Sequence, residues 1–363
     1  MGSAALFHLA RRGRRVLGLE QFEVPHTRGS MHGATRIIRV AYFEHPDYVP
    51  LVQRAYELWR ELETLGGEQL LYVTGALEVG PADGLLIPGT IRACEVHDLA
   101  HDVLEPADVR RRYPAFEPPE GSIAIDQPDG GFVLAEQAVR AHAAQAVAAG
   151  AELRTGEPVL DWEAREDGVT VRTAAGTYEA DRLVLTPGAW AAGLLRLPPE
   201  LFRVERQVLG WFEPVRSEEL TPDRMPVFIF EQDGIHHYGF PVVDELGLKL
   251  GRMHYPGQVV PPESGIPDAS PDEAEPLHEF LRRCVPAAAG RLVEARSCLF
   301  TMLPDENFLL DLHPTEPNVV IASACSGHGF KFAPVVGEIL ADLALDGFTR
   351  HAIDFLRYTR LDG

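Results

Sequence analysis

Apolar and polar positions follow two different periods along the chain. Apolar residues recur at helical spacing in three stretches, 3–12, 48–65 and 135–149, and each stretch ends next to a glycine. This spacing predicts amphipathic helices, because residues three or four positions apart share one helix face. Between residues 151 and 190 apolar and polar residues alternate instead, which predicts several short strands, a turn at 186–190 and a further helix.

The C-terminal part of the chain repeats the strand, loop and helix order. An apolar strand is predicted at 318–323, followed by a loop of small residues and by a helix with its apolar face on Val335, Val336 and Ile339. Small residues let the backbone approach a planar ligand, and a helix N-terminus offers free amides to an anion. Lys331, within this loop, would add a full positive charge.

The opening of the chain resembles the second half of a dinucleotide-binding βαβ unit. A short apolar strand at 16–19 follows the first helix and Gly13, and it ends on Glu20, 18 positions after Gly2. In such units a glycine allows close packing of helix and strand, and an acidic residue about 20 positions later binds ribose hydroxyls. Gly2 and Glu20 fit these roles, although an ordinary helix–strand edge would show the same pattern.

The strand and the two glycines that should come before this helix are absent from the sequence. We expect the native protein to carry about ten further residues that encode a buried parallel strand and its glycine turn. Without them, we expect an empty position in the sheet, an exposed apolar face on the first helix, and weak dinucleotide binding or poor folding.

Composition narrows the class of protein. The chain has 363 residues, a net charge of −21 and 45% hydrophobic residues, which indicates two domains or one large α/β body with ample core. The negative charge argues against nucleic acid and anionic membrane surfaces. Four cysteines without zinc-like spacing indicate no metal site and a reducing compartment. We therefore expect a cytoplasmic protein.

Two further clusters carry candidate chemistry. Arg36 and Arg39 flank two isoleucines behind a loop rich in Gly, Ser and His, and guanidinium groups suit phosphate or carboxylate ligands. Cys298 precedes an apolar stretch, where a lone cysteine is more often a small buried hydrophobe than a nucleophile. On the residues alone, Lys249 would be an exposed strand residue.

Four motifs in register resemble one family, the monomeric sarcosine oxidases and N-methyltryptophan oxidases. They are TRIIR at 35–39, YGFP at 238–241, CLFTMLPDENF at 298–308 and SGHGFKF at 326–332. The resemblance implies an α/β fold in which a Rossmann-like FAD-binding domain is interleaved with an α+β substrate domain on a mixed or antiparallel sheet. The FAD-binding domain would comprise 1–75, 130–200 and 300–363, and the substrate domain 76–129 and 201–299.

The resemblance also implies which residues hold the cofactor. FAD would be tethered to Cys298 through a thioether, with Cys325 as a rival cysteine to which the family assigns no role. Gly2, Ser3 and Glu20 match the pyrophosphate and ribose positions. The remaining implied contacts are His32, Thr35, Arg36, Val159, Gly188, Ser326, Gly327, His328, Gly329, Phe330 and Lys331.

The substrates of the family are secondary amino acids. Arg39 and Lys331 match residues that clamp the substrate carboxylate, Arg36 matches a basic residue beside the flavin, and Tyr238 matches an aromatic wall. Lys249 matches the lysine that promotes reaction of the reduced flavin with oxygen, where a cation stabilises developing negative charge. The chain departs from the family at Met253, where a histidine is usual, with His254 as the neighbouring candidate. It also departs at Phe300, where sarcosine oxidase has a tyrosine.

The activity implied is that of a monomeric flavin-dependent oxidase that demethylates or dehydrogenates a sarcosine-like secondary amino acid and reduces O2 to H2O2. N-methyltryptophan and pipecolate are alternative substrates. A flavin-dependent amino acid dehydrogenase with another electron acceptor is a second possibility, against which Lys249 argues. A degenerate flavoprotein without catalysis is a third, against which the set of Arg39, Lys331 and Cys298 argues.

Overall fold

A computed structural model describes residues 1–361 and shows eight α-helices over that range. Two long helices, α2 and α8, both end at a glycine in the left-handed region, where a residue without a side chain terminates a helix at no steric cost. The helices are α1 (Gly2–Arg11), α2 (Tyr48–Gly66), α3 (Leu86–His97), α4 (Pro106–Arg112), α5 (Ala135–Ala148), α6 (Ala191–Leu194), α7 (Glu275–Cys284) and α8 (Ala333–Asp346).

The described residues also contain nineteen strands, most of them short. They are β1 (Leu17–Leu19), β2 (Thr35–Ile38), β3 (Leu71–Val73), β4 (Ala76–Gly80), β5 (Asp102–Leu104), β6 (Ile123–Gln127), β7 (Gly131–Leu134), β8 (Glu152–Arg154), β9 (Val159–Arg165), β10 (Gly168–Thr173), β11 (Thr177–Ala180), β12 (Leu183–Leu185), β13 (Arg203–Phe212), β14 (Val227–Gln232), β15 (Ile235–Gly239), β16 (Leu248–Val259), β17 (Leu292–Met302), β18 (Leu309–Leu312) and β19 (Val319–Ser323).

The largest sheet has eight strands in the order β17-β13-β16-β15-β14-β4-β6-β5. It is mixed, since β14 and β4 run parallel and the other neighbours run antiparallel. Its strands come from 76–127 and 203–302. The division into two interleaved domains that we expect from the sequence stays a prediction.

Two small parallel pairings form the other side of the molecule. β1 pairs with β8, and β12 pairs with β19, each in parallel. β1 and β12 are both edge strands of their sheets, and residues of both strands line one cavity. The cavity therefore runs between two strand edges before it reaches the rest of the site.

A layer of helices packs against these strands. α1 packs on α5 and α8, and α2 packs on α5 and α8. The expectation of a solvent-exposed apolar face on the first helix was wrong, since residues 4–10 are all buried, with α5 and α8 packed against the helix. Ala5, Leu6 and Leu9 of this face line the cavity between β1 and β12. The core of this layer is aliphatic and aromatic, with Trp59, Leu340 and Val336 at its centre.

The helices predicted from periodicity are confirmed within one or two residues, as α1, α2 and α5. Gly13 adopts a φ of +74°, as expected for the residue that follows the first helix. Over residues 1–361 the structure contains no helix with the length and apolar character needed to span a bilayer.

Candidate active site

One cavity of about 810 Å³ brings together most of the residues that the sequence singles out. Its volume lies in the upper part of the range for small-molecule and cofactor sites. The cavity extends from the N-terminus of α1, past the loop after β19, to one face of the eight-stranded sheet. It therefore spans both halves of the fold.

A group of buried charges, which we call the charged corner (Arg39, Glu44 and Lys331), forms one end of the cavity. Arg39 is 2% exposed, and its Nη2 donates to both carboxylate oxygens of Glu44 at 2.8 and 2.9 Å. Its Nε lies 3.2 Å from Oε1 of Glu78, an ion pair without hydrogen-bond geometry. The guanidinium also stacks on Tyr42, 4.3 Å from the ring centre.

The charges of this corner shift one another's pKa values. Burial alone would raise the pKa of Glu44, but the charge and hydrogen bond of Arg39, together with His328 and Lys331, outweigh it and lower that pKa. Burial raises the pKa of Glu78, and Arg39 offsets only part of this rise. Burial and the charge of Arg39 lower the pKa of Lys331 to about 7, against the attraction of Glu44 and Glu78. Lys331 is therefore close to its titration midpoint at neutral pH.

Lys331 is positioned by the loop after β19. It lies in the one-turn 3₁₀-helix Phe330–Phe332, just before α8. Its Nζ donates to the Tyr42 hydroxyl and to the His328 carbonyl, both at 3.1 Å. Nε1 of Trp59, on α2, donates to the Lys331 carbonyl at 2.9 Å. The hydrogen bond from α2 therefore fixes the backbone of Lys331, from which the side chain reaches the cavity.

Arg36 and Lys249 lie under the loop 30–35. Nη2 of Arg36 donates to the carbonyls of Ser30 and His32, both at 2.6 Å. Nζ of Lys249 donates to the carbonyls of Gly33 and Thr35 at 2.6 and 2.7 Å. Burial lowers the pKa of Lys249 well below its usual value, and the charge of Arg36 adds to this. The expectation of an exposed Lys249 was wrong, since its side chain is 3% exposed.

Glu136 closes this loop from the other side. Its Oε1 accepts hydrogen bonds from the amides of Gly33 and Ala34 at 2.7 and 3.2 Å. Burial would raise the pKa of Glu136, but the backbone hydrogen bonds and the charge of Arg36 together outweigh it and lower the pKa. A carboxylate that is ionised at neutral pH therefore sits near Arg36 and Lys249.

The floor of the cavity is one face of the large sheet. Ile229, Tyr238, Gly251 and Leu209 are paired in register across β14, β15, β16 and β13. A side chain at Gly251 would lie 2.5 Å from the Tyr238 hydroxyl, so glycine is needed for the tyrosine to fit. Burial raises the pKa of Tyr238, which keeps the hydroxyl protonated.

Cys298 lies on β17 at the edge of this floor. It is 1% exposed, and it lines the cavity together with Cys325. Burial raises the pKa of the Cys298 thiol, while the nearby charges of Arg36 and Lys249 lower it in part. The Cys325 sulfur lies 3.6 Å from the Ser30 hydroxyl oxygen.

The other end of the cavity fits an extended anionic ligand. Met1, Gly2 and Ser3 at the N-terminus of α1 line it, and helix N-termini attract anions. A Cβ at Gly2 would lie 2.8 Å from Oγ1 of Thr186, so the glycine keeps this passage open. Oγ of Ser323, also on the wall, is buried without a hydrogen-bond partner within residues 1–361, and it can bond to a ligand.

The structure separates the residues singled out from the sequence into two groups. Those on the cavity wall are Gly2, Ser3, Glu20, Arg36, Arg39, Val159, Gly188, Tyr238, Cys298, Gly327, His328, Phe330 and Lys331. Those behind the wall are His32, Thr35, Lys249, His254, Ser326 and Gly329. His254 faces Glu205 at 3.1 Å and Glu306 at 3.7 Å.

Sequence reasoning missed the partners of the charged corner. Glu44 is five residues after Arg39, and the acidic, aromatic segment 42–48 was a signal that could have indicated it. Glu78 and Trp59 carried no such signal, because they reach the corner from β4 and α2 through tertiary packing.

A family model described as "FAD dependent oxidoreductase" matches residues 1–343. This match agrees with the anion-binding end of the cavity and with the wide central space. The chain belongs to the family of FAD-dependent oxidoreductases, and FAD is its cofactor.

Sequence similarity to named enzymes narrows the class of oxidoreductase further. Monomeric sarcosine oxidase of Streptomyces avermitilis is 42% identical over 99% of this chain and 95% of its own length. Monomeric sarcosine oxidase of a Bacillus species is 40% identical, also over 99% of this chain, and over 93% of its own length. N-methyl-L-tryptophan oxidase of Salmonella agona is 36% identical over 95% of this chain and 92% of its own length.

Among solved structures, the fold is similar to that of NikD, an unusual amino acid oxidase essential for nikkomycin biosynthesis. The TM-score is 0.83 at 28% identity, and the match covers 98% of this chain and 94% of NikD. The α/β fold class expected from the sequence is thereby confirmed.

Proposed function

We propose that the chain is an oxidase of small secondary amino acids that transfers two electrons from the substrate C–N bond to molecular oxygen. The observation that carries this proposal is the convergence of Arg39, Lys331, Tyr238 and Cys298 on one cavity. Two cations at one end suit a carboxylate, and an apolar floor suits the rest of a small amine.

The chain's own residues fit FAD. The N-terminus of α1, Ser3 and Glu20 would hold the pyrophosphate and ribose, and the loop 323–330 would lie along the ring. Cys298, which the resemblance matches to the tether, would form the thioether: the thiol and the flavin carbon each lose one hydrogen, and oxygen takes up both as H2O2. Cys325 lines the same cavity, but the resemblance assigns it no such role. When bound, FAD supplies the group that accepts two electrons from the amine.

Arg39 and Lys331 would bind and orient the carboxylate of the substrate. Lys331 is hydrogen-bonded to Tyr42 and to the His328 carbonyl. Arg39 is hydrogen-bonded to Glu44 and to the Ala41 carbonyl, and its guanidinium stacks on Tyr42, so both cations are held in place before the ligand arrives. Such preorganisation lowers the cost of placing the reacting C–H bond correctly. Tyr238 and the neighbouring apolar side chains would exclude water from the reacting carbon.

The overall reaction balances. The amine loses two electrons and two protons and becomes an imine, and water hydrolyses the imine to a carbonyl compound and a smaller amine. Oxygen takes up both electrons and both protons and becomes H2O2. Lys249 would hold a positive charge near the place where oxygen gains negative charge.

The first test mixes the flavin-loaded protein with sarcosine, first without oxygen and then in air. The proposal predicts loss of the flavin absorbance without oxygen, and one H2O2 per substrate consumed in air. Reduction without peroxide, together with turnover on an added quinone, would favour a dehydrogenase. No reduction by sarcosine or by longer N-methyl amino acids would favour a flavoprotein without catalysis.

We also propose that the protein is monomeric and cytoplasmic. The four cysteines are all free thiols, which suits a reducing compartment, and "monomeric" is part of the name of the sarcosine oxidase relatives. Light scattering after gel filtration would give the mass of one chain if the protein is monomeric, and a multiple of that mass if it is not.

A further inference from the structure

One part of the cavity lining, which includes the floor residues Leu209 and Ile229, is apolar in this chain. It is formed by Leu209, Ile229, Phe240, Met253 and Phe300, all of which line the cavity, and we call it the apolar wall. Two of its members are Met253 and Phe300, the positions at which the sequence resemblance led us to expect a histidine and a tyrosine. A histidine and a tyrosine would present N–H and O–H groups there, whereas Met and Phe offer no strong hydrogen-bond donor.

Met253 and Phe300 meet at the turn that carries Gly327. A Cβ at Gly327 would lie 3.0 Å from the Phe300 ring and 3.4 Å from the terminal methyl of Met253. The φ of Gly327 is +78°, so glycine is favoured there on two counts. The next residue, His328, accepts a hydrogen bond from Lys331 through its carbonyl. The same short turn therefore joins the apolar wall to the charged corner.

Phe300 also borders the proposed attachment site of the cofactor. It lies two residues after Cys298 on β17, so both side chains point to the same face of the strand. Phe300, Cys298 and Leu209 belong to one cluster of packed side chains, with Tyr238 against it. A substrate held at the charged corner would therefore meet this cluster with its remaining atoms.

We infer that Met253 and Phe300 are specificity residues that select N-methylated amino acids with an apolar side chain over sarcosine. This inference rests on the proposed function and specifies its substrate class. Sarcosine has no side chain, so the apolar wall stays in contact with water when sarcosine is bound. An apolar side chain displaces that water, and each buried methylene is worth about 0.8 kcal/mol, or roughly fourfold in binding.

The experiment compares kcat/KM of the flavin-loaded enzyme for sarcosine, N-methylalanine and N-methylvaline. We expect kcat/KM to rise along the series, about tenfold or more from first to last. In the double variant M253H/F300Y the ratio of N-methylvaline to sarcosine should fall at least tenfold. The matched control F300L keeps an apolar side chain and should retain the preference.

A second measurement does not depend on turnover. Acetate, propionate and isovalerate titrated into the holoenzyme report binding through the flavin spectrum, and their dissociation constants should fall with chain length in the wild type and in F300L. In M253H/F300Y they should fall less. If the double variant does not fold, the singles M253H and F300Y take its place, each with a smaller effect in the same direction.

The outcomes separate this inference from the function on which it rests. Oxidation of sarcosine as well as or better than N-methylvaline by the wild type overturns the inference and leaves the proposed function standing. An unchanged substrate ratio in M253H/F300Y also overturns the inference alone. Absence of flavin reduction by all three amines overturns both.

Discussion

Arg39 and Glu44 form an ion pair on the wall of the cavity, in which Nη2 of Arg39 lies 2.8 and 2.9 Å from the two carboxylate oxygens of Glu44. The residue proposed to bind the substrate carboxylate is thus already neutralised by a carboxylate of the chain. Because Glu78 lies 3.2 Å from the same guanidinium, Arg39 carries two internal acidic partners. A ligand carboxylate has to compete with Glu44 for Arg39.

Glu44→Gln should strengthen binding of a carboxylate ligand. The amide still accepts a hydrogen bond from Arg39 but no longer cancels its charge, so we expect the dissociation constant of acetate to fall about three- to tenfold. Titration of the holoenzyme by flavin absorbance measures it. Glu57→Gln, on the exposed side of α2, is the matched control and should change nothing. Weaker binding in Glu44→Gln would mean that Glu44 instead holds Arg39 ready for the ligand.

The pKa of about 7 at Lys331 predicts a pH dependence of carboxylate binding. Below pH 7 the ammonium is charged and attracts the ligand; above pH 7 it loses its proton, because the folded-state pKa is below the usual value. The acetate dissociation constant should therefore rise above pH 7, approaching tenfold per pH unit. In Lys331→Met the dependence in this range should disappear. A wild-type constant that stays level from pH 6 to 9 would refute this assignment.

Lys249→Met should separate the two halves of the reaction. Lys249 is fixed by the carbonyls of Gly33 and Thr35 behind the cavity wall, and it does not belong to the charged corner. We expect anaerobic reduction of the flavin by the amine to keep its rate within a few-fold, while reoxidation by O2 slows by about 100-fold. Stopped-flow absorbance measures both rates. Equal slowing of the two rates would count against a role specific to oxygen.

Two buried histidines of the helical layer predict acid sensitivity, and one of them, His142, also lines the cavity. His8 on α1 and His142 on α5 are each 2% exposed, and burial lowers their pKa values to about 4 and about 3. Between pH 6.5 and these values the unfolded chain binds more protons than the folded chain, so the free energy of unfolding falls as pH is lowered. Each histidine should lower the free energy of unfolding by about 2 kcal/mol between pH 7 and pH 5.

Urea unfolding at pH 7 and pH 5 tests this prediction with the variants His8→Leu and His142→Leu. Each variant should lose less stability than the wild type over this interval, by about 2 kcal/mol. His101→Gln, which removes a partly exposed histidine, serves as the control. Equal losses in the wild type and both variants would contradict the assignment.

Local patterns made the helices and the motif positions predictable. The period of α2 and the glycines that follow α1 and α2 depend on neighbouring residues only, so the sequence indicated them. The burial of Lys249 was not predictable in this way, because loop 30–35 covers it from more than 200 residues away. The role of Glu78 was not predictable for the same reason. Glu78 lies on β4, and its partner Arg39 directly follows β2, a strand of another sheet.

The covering of α1 is a third case. Its apolar face is evident from the sequence, but only the structure shows that α5 and α8 bury it. An amphipathic pattern states which face will be buried and not which partner will bury it. The same holds for the site. The sequence motifs indicated residues of the site, but not the partners that reach them through tertiary packing.

The most direct test of the account is the state of the flavin on Cys298. Because we expect dinucleotide binding to be weak, the protein is first incubated with excess FAD in air. The washed, acid-precipitated protein should then be yellow, and its intact mass should exceed that of the polypeptide by about one FAD. In Cys298→Ala the precipitate should be colourless at the bare mass of the variant, while Cys325→Ala should keep both the colour and the added mass. A colourless wild-type precipitate, or flavin that remains bound in Cys298→Ala, would contradict the proposed attachment.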